Sequence, residues 1–208
     1  GIAGTSGSAG ENPGGGGLGG TAGTGATAGT GGTGGTGGIP GTTTLSVQAG
    51  PWTISPGEEA VKCVVVELGN DEPVVVRRFR TTLNEGSHHM IVYKSDGPAD
   101  PTPFACQSFG VAGGSAIFIA QQAHSELIFP TTPEGAPVGL EMVAHQALTL
   151  EIHYINPTAA PLDVEGTVEL DVLPASAEVV PSSFAFLGAF SIPTIAPHSD
   201  ADTGVLFQ

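Results

Sequence analysis

Positive charge is scarce in this chain. Its 208 residues include 5 Lys and Arg against 20 Asp and Glu, a formal net charge of -15. Lys62, Arg77, Arg78, Arg80 and Lys94 all fall between positions 62 and 94, and Ser95 to Gln208 contains neither Lys nor Arg. A nucleic-acid footprint needs a basic face, so that class of partner is excluded. An acidic surface with little Lys suits a protein that must stay soluble outside the cell. Long apolar runs are missing too. No stretch approaches the roughly 18 consecutive apolar residues of a spanning helix, so no transmembrane segment is expected.

Cysteine is equally sparse. Cys63 and Cys106 are the only two, and their spacing is not the CxxC of a zinc knuckle or a thioredoxin-type motif. They read as one disulfide, the alternative being two buried free thiols. Closing that loop stabilises a fold by about 4 kcal/mol in the chain-entropy model. A disulfide implies a secreted or cell-surface protein. Nucleophile–base motifs such as GxSxG are absent. The Gly-rich N-terminus lacks the Lys and the strand–loop–helix setting of a phosphate-binding loop.

Glycine is abundant but uneven, with 33 in the chain. Residues 1–42 are almost all Gly, Thr, Ala and Ser, and such a tract buries too little apolar surface to join a core. Residues 43–208 have the length of one domain. Within the tract, Thr21, Thr24, Thr27, Thr30, Thr33 and Thr36 are spaced by three, with Gly or Ala between them. Leu18 and Ile39 share the phase. One reading is a flexible linker. The other is an extended, polyglycine II-like helix with three residues per turn, assembling with copies of itself through residues 18–39.

Beyond Pro40 the pattern becomes β. Expected strands are 61–67, 73–80, 89–94, 116–120, 127–129, 138–142, 148–155, 166–173, 178–180, 184–190 and 204–207. Residues 148–155 alternate cleanly, with Leu148, Leu150, Ile152 and Tyr154 on one side and Thr149, Glu151 and His153 on the other. No helical period of about ten or more residues stands out. Many short strands with Pro and Gly turns predict an all-β, antiparallel jelly-roll sandwich.

Six His are present. His88 and His89 open one expected strand and His153 lies on another, opposite that strand's apolar side. Neutral imidazole is a common copper and zinc ligand. Three such ligands leave an open position, the mark of a reactive rather than a structural site. Adjacent strand residues point to opposite faces, so His88 and His89 reach one ion only if the backbone is irregular there. Asn84-Glu85-Gly86-Ser87 offers a turn for that. The bland reading is a solvated His pair in a loop. His124, His145 and His198 have no assigned role; His198 with Asp200 and Asp202 reads as a solvated loop before a hard-cation site.

A set of motifs runs in order. Pro56-Gly57-Glu58-Glu59 leads into Lys62-Cys63-Val64. His88-His89-Met90-Ile91-Val92-Tyr93 follows, then Phe104-Ala105-Cys106, Pro137-Val138-Gly139, and Leu150-Glu151-Ile152-His153-Tyr154-Ile155-Asn156. Over roughly residues 52–208 this order resembles the copper type II, ascorbate-dependent monooxygenases, the peptidylglycine and dopamine hydroxylating enzymes and their bacterial relatives. The resemblance implies a jelly roll holding one electron-delivering copper through His88, His89 and His153, with Cys63 paired to Cys106. In that family oxygen binding and hydroxylation belong to a second copper in a second jelly roll. That domain's His-x-His pair and Met ligand have no counterpart here, and Met90 and Met142 do not match it. A second copper domain is therefore expected beyond Gln208, or the protein is a single-domain relative that binds copper without hydroxylating. The competing class is a structural subunit of an extracellular fibre assembled through the Gly/Thr tract.

Overall fold

Val-rich segments favour a pleated, half-buried backbone, and these segments pair. A computed structural model describes residues 28–32, 39–107 and 114–184. The strands are β1 (Ala28–Gly32), β2 (Thr43–Ile54), β3 (Glu59–Glu67), β4 (Val74–Leu83), β5 (Ser87–Ser95), β6 (Asp100–Ala105), β7 (Gly114–Ala120), β8 (His124–Ile128), β9 (Val138–Met142), β10 (Ala147–Ile155), β11 (Leu162–Pro174) and β12 (Val180–Pro181). They form an all-β sandwich of two sheets. One has seven strands in the order β1-β2-β11-β4-β9-β12, with β8 also on β4; the other has five in the order β6-β3-β10-β5-β7. The short β12–β9 contact is parallel; the other ladders are antiparallel.

Period-two alternation places the core between the sheets. Leu148, Leu150, Ile152 and Tyr154 of β10 meet Phe79, Val168 and Leu170 of the opposite sheet, all fully buried. Each such side chain contributes about 1.5–3 kcal/mol through burial. Phe79 stacks on Phe118 with ring centroids 5.4 Å apart. Polar pairing ties the seven-stranded sheet together from its other face. Buried Asp171 accepts from Thr44 Oγ1 at 2.7 Å and from Arg78 Nε at 2.8 Å, clamping β11 to β2 and β4.

Beyond the Gly/Thr tract, two strands went unforeseen, both because proline masks them. In β2, Gly50-Pro51 reads as a turn, yet the ladder absorbs it as an irregularity between Val164 and Gly166 of β11. β6 carries Pro101 and Pro103 and sits at a sheet edge, where missing N–H donors are tolerated. The expected strand at 178–180 is reduced to Val180–Pro181. Those at 184–190 and 204–207 fall outside the described residues apart from Phe184, which lies in no strand. Within the Gly/Thr tract, Ala28–Gly32 is an edge strand antiparallel to β2 rather than part of a three-per-turn helix. The rest of 18–39, apart from Ile39, lies outside the described residues, as does His198.

Cys63 on β3 and Cys106 just after β6 are joined, with Cα atoms 5.9 Å apart and a sequence separation of 43. Among the described residues no helix is long and apolar enough to cross a membrane. The disulfide is compatible with an extracellular location. Closing a 43-residue loop predicts that reduction lowers unfolding stability by about 4 kcal/mol. Urea titrations with and without reductant read this directly; coincident curves contradict it.

Candidate metal centre

β10 lies between β3 and β5, and its register sets the site. His153 pairs with Val61 on one side and with His89 on the other. The next β10 residue, Tyr154, pairs with Ser87 and not with His88. His88 is thus the extra residue of a β-bulge, and bulges re-aim side chains. This resolves the facing problem of two adjacent histidines: both rings turn to the side of the sheet that carries His153. The bulge follows the turn at Asn84–Ser87, where Ser87 N–H donates to Asn84 O at 3.2 Å and Gly86 takes φ 87°. That φ suits glycine. Asn84 anchors the turn to β11, donating to Asp163 O at 2.8 Å and accepting from Glu165 N–H at 2.7 Å.

The three rings converge through the same atom. His88 Nδ1 lies 3.3 Å from His153 Nδ1 and 3.3 Å from His89 Nδ1. Nitrogens bound tetrahedrally at ~2.0–2.1 Å from one ion sit roughly 3.3–3.4 Å apart. Both spacings from His88 fit a first-row ion, and all three ligand atoms lie within 4.8 Å of one another. Among the described residues these three form the one group of His, Cys, Asp and Glu side chains close enough to share an ion. Exposure is graded: His88 is exposed, His153 intermediate and His89 buried. An ion held here would have protein beneath it and open space beside His88.

The outward ring nitrogens meet carboxylates. His153 Nε2 is 3.0 Å from Glu59 Oε1, and His89 Nε2 is 4.0 Å from Glu151 Oε1. A partner at hydrogen-bond distance, as Glu59 is, fixes ring orientation and raises ligand basicity. Glu151 is fully buried and accepts a 2.7 Å hydrogen bond from the Tyr93 hydroxyl. Burial, and then Glu151 itself, push the Tyr93 phenol well above its ordinary value, so it remains a donor. Asn156 places Glu59. Its side chain donates to Ile54 O, Ser55 O and Ala160 O, and its N–H donates to Glu58 O at 2.9 Å. The end of β10 is thereby tied to the start of β3.

All three predicted ligands come together. Glu59, Glu151 and Asn156 were quoted within motifs but given no role. The period-two rule puts Glu151 on the His153 face and could have flagged it; Glu59 needs the β3–β10 register. The side of β10 away from the core is not open throughout, since Thr149 and Glu151 are both buried. Only its His153 end is partly exposed. The remaining described histidines stand apart. His124 on β8 is 3.4 Å from Thr82 Oγ1. His145, at φ 53° in the turn before β10, contacts Glu67 at 2.9 Å. Met90 and Met142 are in the core.

No protein-family profile and no curated protein matches this chain.

Desolvation lowers the His89 pKa from the ordinary 6.5, and the neighbouring His153 and His88 lower it further, while Glu151 works in the opposite direction. His89 is therefore held neutral and ready to ligate. The unfolded chain binds a proton here at higher pH than the folded one, so stability falls as pH drops through about 6.5 and below. In the metal-free protein, the His89 ring should titrate below 6.5 by NMR; titration at or above that value contradicts the assignment.

Proposed function

We propose that residues 43–208 form a secreted or cell-surface copper-binding jelly roll, related to the electron-delivering half of the copper type II, ascorbate-dependent monooxygenases. The observation that carries this reading is the convergence of the Nδ1 atoms of His88, His89 and His153 on one side of one sheet. The strand order supports the jelly roll. β2 pairs β11, β3 pairs β10, β4 pairs β9 and β5 pairs β7. Antiparallel pairs nested in this way are what a folded-over jelly-roll ribbon produces.

Neutral imidazoles at His88, His89 and His153 supply the donors. Glu59 holds the proton on His153 Nε2, leaving Nδ1 free to ligate, and burial keeps His89 unprotonated. Bound copper supplies a one-electron couple. The role proposed for the one ion site among the described residues is to carry and exchange an electron. The secreted location is supported by the Cys63–Cys106 bond.

A second reading is carried by a different observation. β1 comes from the Gly/Thr tract and adds a strand to the edge of β2. Backbone of that composition can pair with a sheet edge without side-chain clashes. The same tract in a fibre subunit would link neighbouring copies, with the copper domain displayed on the assembly. Electron microscopy separates the two: fibres lost on deleting residues 18–39 support it, and a monomer at high concentration removes it.

Copper titration by calorimetry tests the main reading. One copper per chain is expected, with His153→Ala weakening binding at least about 100-fold, and no ascorbate-dependent hydroxylation by the chain alone. Undiminished binding in His153→Ala contradicts the ligand set.

A further inference from the structure

Two carboxylates face the outward nitrogens of the candidate ligands. Glu59 stands on His153 at 3.0 Å and Glu151 stands by His89 at 4.0 Å. Neither contributes an atom to the convergent set. We propose that Glu59 and Glu151 make the site selective for a divalent ion, Cu(II) or Zn(II), over Cu(I). This inference rests on the reading that the three histidines hold a metal.

The argument is one of charge. Three neutral imidazoles bring none, so the ion's charge is answered by its surroundings. Two carboxylates one ring-width away match a dication and overmatch a monocation. Interactions there are strengthened by burial, and Glu151 is fully buried. The basic residues are engaged elsewhere. Arg78 and Arg80 pair with Asp171 on the other sheet. Arg77 donates to Pro130 O, Lys94 donates to Glu141 O, and Lys62 lies over the Tyr154 ring. A carboxylate accepting from Nε2–H also pushes electron density toward Nδ1. A more basic imidazole favours the harder, more highly charged ion. Both effects act in the same direction, and Tyr93 keeps Glu151 oriented for them.

The test uses the full chain, with Cu(II), Zn(II) and Cu(I) affinities measured by chelator competition. Glu59→Gln and Glu151→Gln keep side-chain size and remove charge. Each is expected to weaken Cu(II) and Zn(II) by about tenfold while changing Cu(I) by less than about threefold. The copper midpoint potential then rises, by ~59 mV for each tenfold change in the Cu(II)/Cu(I) affinity ratio. An unchanged ratio, with all three ions weakened equally or not at all, overturns the inference while leaving the ligand reading intact. A wild-type chain that binds none of the three ions, or a His153→Ala variant that binds as well, sinks both. If Glu151→Gln fails to fold, the exposed Glu59 decides alone, since its replacement disturbs no core.

Discussion

β10 pairs with β3 over Ala147–Ile155 and with β5 over Ala147–Tyr154, and this double ladder sets the spacing of the candidate site. His153 and Glu151 come from β10, His89 and Tyr93 from β5, and Glu59 from β3. Neighbouring strands lie about 4.8 Å apart, close enough for imidazoles on adjacent strands to share an ion. A regular ladder would have sent His88 into the core. The single unpaired residue at His88 breaks that rule and brings a third ring to the same side. A one-residue slip of β10 would therefore scatter the site and turn the strand's apolar row out of the core.

Burial and charge then act on the rings together. The His89 end is desolvated, which disfavours its protonation, while Glu151 beside it is satisfied by Tyr93. The His153 end is more open and leans on exposed Glu59. One end of the site is buried, and the other adjoins solvent. An arrangement of this kind combines fixed ligands with access for an incoming partner.

The strands with strong alternation were readable without a structure. Residues 138–142 coincide with β9, and 148–155 match β10 to within one residue. Leu148 to Tyr154 carry an unbroken apolar row that only a half-buried strand explains. β2 and β6 were hidden because proline is a turn signal from sequence alone and becomes compatible with a strand only at an irregularity or an edge. His88, His89 and His153 were visible as residue types on strands. Their convergence was not, because it depends on one extra residue in a ladder between segments some sixty residues apart. Glu59 was still less visible: its place beside His153 follows from the β3–β10 pairing and from Asn156, whose three carbonyl partners are the last residue of β2, the residue after it and Ala160. Non-local hydrogen bonds leave no local pattern to read.

Copper is proposed to sit among the three Nδ1 atoms. Anomalous scattering at the copper edge, from crystals of the copper-loaded protein, addresses it most directly. The account predicts a single strong peak at roughly 2.0 Å from Nδ1 of His88, His89 and His153. A peak at His124, His145 or the chain's amino terminus, with these three rings left unligated, would contradict it.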